Sequence, residues 1–387
     1  MKIVHIAPNA PYNDNWGYQD NLLPRYQKKL GHDVTVIITN KMHTPDGIAE
    51  TVCGEYTLDD GVHVIRLKTV DYHNPVLTNI MSKLPVYGYL ESIKPDFIFY
   101  HGLKGATVFD AVRYKKRIAP ECVIVQDNHE DYNNCNLPSG FKGRLLRGFQ
   151  RAFNRRSIRY VSRVYGVTPW RREYAIDYYG IPREKTDVLI MGADDDKLGL
   201  AERSTEREAV RRECGIPDSD FLVVTGGRID SEKHIDTLMQ ACGDMPGIKL
   251  LVFGRVEGGI KDRFDSLLSE YSNIIYVGWL AADEVYRYFF AADLVVFPGG
   301  HSVMWEQACA CKVPCLFRRW EGMEHVNNGG NADFIDDVTT VGLKKKISEY
   351  NGTEKYNQMK SVAESDATDI FLYSRIAEKS LECCKMK

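Results

Sequence analysis

The sequence has no run of about 20 apolar residues, the length that a membrane-spanning helix needs. It has no GxGxxG fingerprint after its first strand-like run, which disfavours a dinucleotide-binding site. Its formal net charge of −3 gives no sign of a nucleic-acid partner. The start, MKIVHIAP, lacks a basic head followed by a long apolar core, so no secretory signal is predicted. A composition of 44% hydrophobic and 27% charged residues is that of a globular protein.

The ten cysteines lack the paired spacing of a structural zinc site. Cys309, Cys311 and Cys315 lie close together, but no second Cys/His pair follows at zinc-finger spacing. Several cysteines lie in apolar runs, where a thiol behaves as a small hydrophobic side chain. We therefore expect a reducing, cytoplasmic environment and no zinc.

Fold class follows from the pattern of apolar runs. Residues 1–195 alternate helical stretches with seven short, nearly continuous apolar runs, the pattern of parallel strands covered on both faces. The chain length predicts at least two domains. We expect an α/β doubly wound domain over residues 1–195, a linker over 196–220, a second such domain over 221–365 and a C-terminal helix over 366–387. The seven runs are KIVHI, DVTVIIT, VHVIRL, DFIFYH, CVIVQD, RVYGV and DVLIM.

Residues 295–317 read as a strand, a Pro-Gly-Gly turn and a helix start. Such a turn lets backbone amides approach a phosphate, and the helix dipole favours negative charge. Ser302 is placed to cap the helix, and Glu306 follows one turn later, where a carboxylate suits ribose hydroxyls. The alternative is an ordinary strand-to-helix turn with a solvated glutamate.

A second strand end carries two cations. Residues 221–233, FLVVTGGRIDSEK, form a buried strand that ends in Gly226-Gly227, followed by Arg228 and then Lys233. A guanidinium fork and an ammonium group beside a strand end are suited to holding a diphosphate. Two more strand patterns, LLVFGR and IIYVGW, follow before residue 280.

This order of strand ends resembles the C-terminal half of the GT-B retaining glycosyltransferases of family 4. Arg228 and Lys233 match that family's diphosphate-binding pair, and Glu306 matches the second glutamate of its Glu-x7-Glu motif. Pro298 stands where the first glutamate would be. The resemblance implies two Rossmann-like domains that face each other across a cleft, with a C-terminal helix that crosses back to the first domain.

The resemblance also implies roles for individual residues. His129, directly after a strand, matches a histidine that contacts the donor sugar, and with Arg228 and Lys233 it completes the expected catalytic set. The donor-binding set is Glu306, Gly227, Gly278, Trp279, Gly300, His301 and Ser302. The first loop, with Asn15, Trp16 and Gly17, is expected on the acceptor side; the alternative is a flexible surface loop.

Two acidic stretches could suggest a metal. His129, Glu130 and Asp131 are adjacent, but neighbouring residues at a strand end point in different directions and rarely bind one ion. The run 194–196, Asp-Asp-Asp, matches a Gly-x-Asp turn that ends the first domain in the resembling family. We expect neither a metal nor a cofactor. His101, which also follows a strand, is either a second cleft residue or structural.

Residues 141–159 carry one Lys and six Arg without an acid, interleaved with Leu and Phe. A helix with these residues could lie on an anionic membrane surface. The alternative, which we favour for the apolar face, is packing on the sheet with a basic outer face. Peripheral contact with the inner face of a membrane, or an acceptor with lipid phosphate, stays open.

The expected function is transfer of a sugar, with retention, from a nucleotide-diphospho-sugar to a glycan or lipid-linked acceptor in polysaccharide or glycoconjugate assembly. UDP is favoured over GDP or ADP. The leaving phosphate itself would take the acceptor's proton, so no protein nucleophile is required. Two alternatives remain: a UDP-sugar 2-epimerase with the same fold, and a non-catalytic nucleotide-sugar-binding protein.

Overall fold

The computed structural model describes residues 1–44, 47–135 and 140–384. The chain divides into two compact units: unit one comprises Met1–Ile190 with Tyr373–Lys387, and unit two comprises Met191–Leu372. Each unit is built on its own mainly parallel sheet. None of the helices in the described ranges has the length and apolar content that crossing a bilayer requires.

Unit one contains an eight-stranded sheet and a separate hairpin. Its strand order is β10-β9-β8-β7-β1-β2-β6-β5, and all neighbours are parallel except β5, which is antiparallel to β6. The strands are β1 (Lys2–Ala7), β2 (Asp33–Thr39), β3 (Lys41–Thr44), β4 (Gly47–Glu50), β5 (Gly54–Thr57), β6 (His63–Leu67), β7 (Phe97–Tyr100), β8 (Val123–Asn128), β9 (Arg163–Gly166) and β10 (Thr186–Val188). Each of the seven predicted runs overlaps a strand, although only Asp187 and Val188 of DVLIM lie in β10. The hairpin β3–β4 and strand β5 were not predicted, because their largely exposed residues form no apolar run.

The helices of unit one cover its sheet. They are α1 (Gln19–Lys29), α2 (Pro75–Met81), α3 (Tyr87–Ile93), α4 (Val108–Arg117), α5 (Gly140–Ser157) and α6 (Pro169–Asp177). Val4, Ile6 and Ile98 on the central strands are fully buried, in one core with helix residues such as Leu90 and Ala111. Burial of each large aliphatic side chain is worth about 1.5–3 kcal/mol. Burial on both faces explains why these strands read as continuous apolar runs.

Unit two contains a six-stranded parallel sheet of order β13-β12-β11-β14-β15-β16. Its strands are β11 (Phe221–Ile229), β12 (Ile248–Val256), β13 (Ile274–Tyr276), β14 (Leu294–Phe297), β15 (Cys315–Arg318) and β16 (Ala332–Ile335). Its helices are α7 (Asp195–Leu198), α8 (Arg203–Glu213), α9 (Ile235–Gly243), α10 (Lys261–Glu270), α11 (Val285–Ala291), α12 (Met304–Ala310), α13 (Thr340–Ser348) and α14 (Glu354–Ala363). The last helix of the chain, α15 (Tyr373–Ser380), belongs to unit one, where Tyr373 stacks on Tyr26 of α1.

The unit boundaries differ from the sequence-based domain limits. Residues 196–220 were expected to be a linker, but they belong to unit two and carry most of α7 and all of α8. Arg211 of α8 is buried and donates to the carbonyl oxygens of Pro217 and Asp220 at 2.7 and 2.6 Å. It also lies 3.3 Å from Asp293 Oδ2. The charged composition of this segment therefore reflects a buried arginine, bonded through both terminal nitrogens, as well as solvated positions.

Candidate active site

Three strand ends of unit two meet at one edge of its sheet. In the parallel register Gly227 of β11 pairs with Gly254 of β12, and Arg228 pairs with Arg255. Strand β14, on the other side of β11, ends directly before the turn 298–300. Because the carboxyl ends of parallel strands share an edge, the predicted Gly-Gly-Arg and Pro-Gly-Gly motifs become neighbours.

The two motifs line one cavity of about 260 Å³. Of the sequence-predicted site residues it contains Gly227, Arg228, Lys233, Gly300 and Ser302. The other lining residues are Gly226, Ile235, Phe297, Pro298, Gly299 and Met304. The structure therefore brings the predicted cationic pair and the predicted glycine turn to the same place.

Lys233 is hydrogen-bonded to the glycine turn and packs closely against it. Its Nζ donates to the carbonyl oxygen of Gly300 at 2.7 Å. A Cβ on Gly299 would lie 2.4 Å from Lys233 Cα, so only glycine permits this close approach. Burial lowers the pKa of Lys233, against the opposing effect of Asp230. The ammonium group is thus held partly desolvated at the cavity, where its field is strong.

The arginine of the predicted pair is more exposed. The Arg228 side chain is 67% exposed, and its Nε lies 2.7 Å from Asp230 Oδ2. Arg255 is its exposed register neighbour, and the Arg255 side chain forms no hydrogen bond or ion pair with the described residues. Two guanidinium groups side by side at strand ends repel each other unless an anion lies near them. Arg255 was not predicted as a site residue, because its position beside Arg228 depends on the strand register, which cannot be read from the sequence.

Glu306 is fully buried and is enclosed by two histidines. Its Oε1 accepts from His301 Nε2 and from His325 Nε2, both at 2.8 Å. Burial would raise its pKa, but the two imidazoles lower the pKa of Glu306 to about 2. Its Oε2 is buried and has no hydrogen-bond partner within the described ranges. His325 was not predicted, because it lies in a three-residue 3₁₀ helix, Glu324–Val326, that is too short to leave a periodic pattern in the sequence.

The ligand atoms of His301, Glu306 and His325 lie within 4.8 Å of one another, as a metal-binding set would. Both Nε2 atoms, however, lie at hydrogen-bond distance from the same carboxylate oxygen, which requires a hydrogen on each of them. A metal would need those lone pairs instead. The arrangement is a carboxylate held by two donors.

The predicted helix cap at Ser302 was wrong. Helix α12 begins at Met304 with Val303 at its N-cap and no side-chain cap bond. The carbonyl oxygen of Ser302 instead accepts from the Trp305 amide at 3.0 Å. Three residues separate the glycine turn from the first residue of the helix, and Ser302, the second of them, lines the cavity.

The predicted base-side residues follow β13. Gly278 has a φ of 81°, and its carbonyl oxygen accepts from the Gly254 amide at 2.7 Å, which ties this turn to the end of β12. Trp279 is mostly exposed. An exposed indole beside a glycine turn is available for stacking on a planar ring.

The predicted acceptor-side residues lie in a loop of unit one. Trp16 stacks on His43 of the hairpin with ring centroids 5.2 Å apart. Asn13 accepts from the His43 amide at 2.8 Å and donates to its carbonyl oxygen at 2.9 Å, so the hairpin orders the loop. Asn15 has a φ of 61°, in the left-handed region, and a Cβ added at Gly17 would have no neighbouring atom within 4 Å. The loop is anchored by hydrogen bonds on one side.

His129 follows β8 in unit one, and its Nε2 lies 3.1 Å from Asp127 Oδ2. The neighbouring carboxylates diverge, as expected: Glu130 bonds to Lys104 and Tyr179, and Asp131 lies 3.1 Å from Arg171 Nε. The three side chains therefore bond to different partners and do not converge on one point.

The acidic run 194–196 has a different role. The Asp194 side chain accepts from the Asp196 amide at 3.3 Å and caps α7. A buried N-cap aspartate of this kind stabilises its helix by about 0.5–2 kcal/mol. The run therefore has a structural explanation.

Two family profiles match the chain. The Glycosyl transferase 4-like domain matches residues 21–192, and the Glycosyl transferases group 1 family matches residues 206–364. This chain is a GT-B glycosyltransferase of the family 4-like group. The expected fold class is confirmed.

One curated relative is the alpha-galactosylglucosyldiacylglycerol synthase of Streptococcus pneumoniae, 24% identical over 148 residues. The match covers 36% of this chain and only 39% of that protein. A solved glycosyltransferase from Rickettsia africae has a TM-score of 0.70 at 15% identity, covering 100% of this chain and 98% of that one. The Anabaena HepE protein, solved in complex with UDP, has a TM-score of 0.66 at 16% identity over 100% of both chains. A UDP-GlcNAc 2-epimerase from Neisseria meningitidis shares the fold, with a TM-score of 0.59 at 14% identity over 100% of both chains.

Proposed function

We propose that this glycosyltransferase uses a nucleotide-diphospho-sugar, with UDP as the nucleotide, and transfers the sugar with retention of configuration to a glycan or lipid-linked acceptor. The observation that carries the proposal is the cavity where Lys233, Arg228 and the Gly299–Gly300 turn come together. Its cations and backbone amides are suited to a diphosphate. That the Anabaena neighbour was solved with UDP supports the choice of nucleotide.

The chemistry is breakage of the bond between the sugar's anomeric carbon and the β-phosphate oxygen. Negative charge grows on that phosphate, and Lys233 and Arg228 stabilise it more than they stabilise the ground state. Arg255, in register with Arg228, adds a third cation at the same edge. A phosphate oxygen takes the proton of the acceptor hydroxyl, which bonds to the anomeric carbon on the face that the phosphate leaves.

The remaining donor contacts are assigned by position. Because both His301 and His325 already bond to Oε1 of Glu306, the buried Oε2 is the acceptor left for a ribose hydroxyl. The base lies beside Gly278 and Trp279. By resemblance to family 4, His129 contacts the sugar, and Asn15, Trp16 and Gly17 lie on the acceptor side.

The two alternatives predict different products. A 2-epimerase with this fold would consume a UDP-sugar without an acceptor, and it needs carboxylates for its elimination steps. A non-catalytic binder would retain the nucleotide and release no product. Thermal-shift measurements with UDP-glucose, UDP-galactose, UDP-GlcNAc, GDP-mannose and ADP-glucose test the donor assignment first. We expect the largest rise in melting temperature with a UDP-sugar; a rise with GDP- or ADP-sugars alone would contradict the choice of UDP.

Activity should persist in excess EDTA. The cations of Lys233 and Arg228 occupy the place where many nucleotide-sugar enzymes use a divalent ion, so chelation should change the initial rate by less than about twofold. The rate of UDP release is measured with EDTA and with added Mn²⁺. Complete loss in EDTA, restored by Mn²⁺, would mean that a metal performs the work assigned here to side chains.

Helix α5 presents an unexpected apolar stripe. Phe141, Leu145 and Phe149 are spaced by four residues and are 74%, 66% and 44% exposed. We expected this face to pack on the sheet, and for these three residues that was wrong. Exposed cations flank the stripe on a helix without an acid: Lys142, Arg144, Arg155 and Arg156. We propose that this face lies on an anionic lipid surface, with the Phe and Leu side chains among the acyl chains and the cations at the headgroups. The protein would then act from the cytoplasmic side of a membrane.

Changing Phe141, Leu145 and Phe149 together to serine should reduce sedimentation with phosphatidylglycerol vesicles at least tenfold. The matched control changes Val341 and Ile370, exposed apolar residues of unit two, to serine and should bind vesicles like wild type. Phosphatidylcholine vesicles should bind little in either case, because the basic face needs anionic lipid. Equal sedimentation of the triple variant and wild type would contradict this membrane surface.

A further inference from the structure

A chain of buried polar side chains lies behind His129 in unit one. It runs from α15 through α1, β1 and the end of β7 to the end of β8. Its hydrogen-bond distances are 2.8 Å from Gln27 Nε2 to Ser380 Oγ, 2.7 Å from His5 Nε2 to Gln27 Oε1, 3.1 Å from His5 Nδ1 to His101 Nε2 and 2.9 Å from His101 Nδ1 to Asp127 Oδ2. His5, Gln27, His101, Asp127 and Ser380 are all buried. Because buried polar groups need partners, each bond constrains the next.

The direction of each bond can be fixed from the α15 end. The Ser380 hydroxyl donates to the Ala377 carbonyl oxygen at 2.6 Å. Its single hydrogen is then used, so Ser380 Oγ accepts from the Gln27 amide nitrogen. The Gln27 carbonyl oxygen therefore faces His5, and His5 carries its hydrogen on Nε2.

The consequence is a charged imidazole at His101. His5 Nδ1 has only a lone pair to offer, so His101 Nε2 must donate to it. His101 Nδ1 faces Asp127 and also lies 3.5 Å from Asp20 Oδ1, so it donates too. Burial opposes the charge, but Asp127 and Asp20 raise the pKa of His101. Burial and the charge of His101 lower the pKa of His5 to about 3, consistent with a neutral His5.

Asp127 connects this chain to His129. One oxygen accepts from the Gly102 amide at 2.7 Å, and the other accepts from His101 and, at 3.1 Å, from His129 Nε2. Burial would raise the pKa of Asp127, but His101 and, to a smaller extent, His129 lower it, so the carboxylate has no hydrogen to donate. His129 therefore donates from Nε2, and its Nδ1 is left as a lone pair on a side chain that is 38% exposed.

The two hydrogens assigned to His101 also argue against a metal ion bound by Asp20, His101 and His129. Ligand atoms of Asp20, His101 and His129 lie within 4.8 Å of one another, as metal ligands would. Both nitrogens of His101 carry hydrogen, so that ring has no lone pair for an ion.

We propose that Asp127 and His101 are positioning residues that hold His129 as a neutral imidazole with its hydrogen on Nε2, so that Nδ1 accepts a hydrogen bond from a sugar hydroxyl of the donor. This inference rests on the proposed function for its ligand, but not for its tautomers. Asp127 fixes the orientation of the His129 ring, and the positive charge of His101 offsets the negative charge of Asp127.

The groups around His129 make the pH consequence specific. Asp127, Asp20 and His101 lie close to the ring. Glu130 is bonded to Lys104 and Tyr179, and Asp131 to Arg171, so these two carboxylates are engaged elsewhere. His101→Gln keeps a hydrogen-bond donor for Asp127 but removes the positive charge. Asp127 is then left without that balancing charge, and we expect the acidic limb of the pH–rate profile to move to higher pH by about one unit.

The first test is nitrogen-15 NMR of histidine rings in the full chain without ligand, with assignment by the His101→Gln and His129→Gln variants. We expect both nitrogens of His101 protonated at pH 7 and His129 protonated on Nε2 alone. A neutral His101, or hydrogen on Nδ1 of His129, would overturn the proposal. The wild-type spectrum is informative even if a variant folds poorly.

The second test is the pH–rate profile of donor consumption. A shift of the acidic limb in His101→Gln, with a KM for the donor within about threefold of wild type, supports the positioning role. An acidic limb that does not move, with the same loss of rate at all pH values, would indicate a structural role and overturn the proposal. Asp127→Asn should lower kcat by roughly 10- to 100-fold. If the predicted tautomers are found but no UDP-sugar is consumed, the proposed function fails while this inference about His129 stands.

Discussion

Lys233→Ala is expected to lower turnover by roughly 10²-fold or more, with the fold intact. The substitution removes a cation that is held beside the glycine turn by its 2.7 Å bond to the Gly300 carbonyl oxygen. Loss of one contact of this type to developing charge costs about 10²–10³ in rate. Arg228→Ala should show a loss of the same order, because Arg228 lines the same cavity. Initial rates of UDP release at saturating donor measure both.

A matched control is available on the surface of unit two. Lys261 forms an exposed pair with Asp265 at 2.8 Å on α10, and exposed pairs contribute little. Lys261→Ala should retain turnover within about twofold of wild type. Near-normal turnover in Lys233→Ala or Arg228→Ala, with circular dichroism unchanged, would contradict the diphosphate assignment.

Glu306→Gln is expected to weaken UDP binding by roughly ten- to a hundredfold. Glutamine has nearly the same shape, and its carbonyl oxygen can still accept from both His301 and His325. Its amide nitrogen then replaces Oε2, the buried acceptor without a partner within the described ranges. A hydrogen bond to a charged group contributes about 1.5–3 kcal/mol, which gives this range. Calorimetric titration of UDP into wild type and variant measures it.

The same titration with UDP-glucose separates ribose from sugar contacts. If Glu306 serves the ribose, UDP and UDP-glucose should lose affinity equally. His129→Gln is the matched variant for the sugar, and it should weaken UDP-glucose more than UDP. Equal UDP affinities of wild type and Glu306→Gln would mean that this carboxylate only orders the two histidines.

Much of the fold was predictable because buried parallel strands leave a local signal. The runs KIVHI and DVTVIIT are buried at every position after the first, because both faces of these strands are covered. Strand β5 and the hairpin β3–β4 have mainly exposed residues and therefore no such signal. Helix α5 shows the opposite problem. Spacing of Phe141, Leu145 and Phe149 marks one helix face, but it does not state whether that face meets the sheet or the solvent.

Some residues of the candidate site could likewise be predicted from the sequence, and others could not. Arg228 and Lys233 could be selected because they follow a strand end directly in sequence. Arg255 could not, because its position beside Arg228 depends on the register of β11 and β12. The contact of His325 with Glu306, 19 residues away along the chain, could not be predicted, because it depends on how the chain between them folds back. Gln27 and Ser380, 353 residues apart, meet only when α15 packs on α1.

The central claim is sugar transfer from a UDP-sugar, and product analysis tests it most directly. Wild type is incubated with isotopically labelled UDP-sugars and with membrane-lipid or oligosaccharide acceptors, and products are followed by mass spectrometry and NMR. We expect UDP to accumulate together with an acceptor that gains one sugar in its original anomeric configuration, and Lys233→Ala to form little of either. Conversion of the UDP-sugar to its C2 epimer without transfer, or full recovery of the unchanged UDP-sugar, would contradict the account.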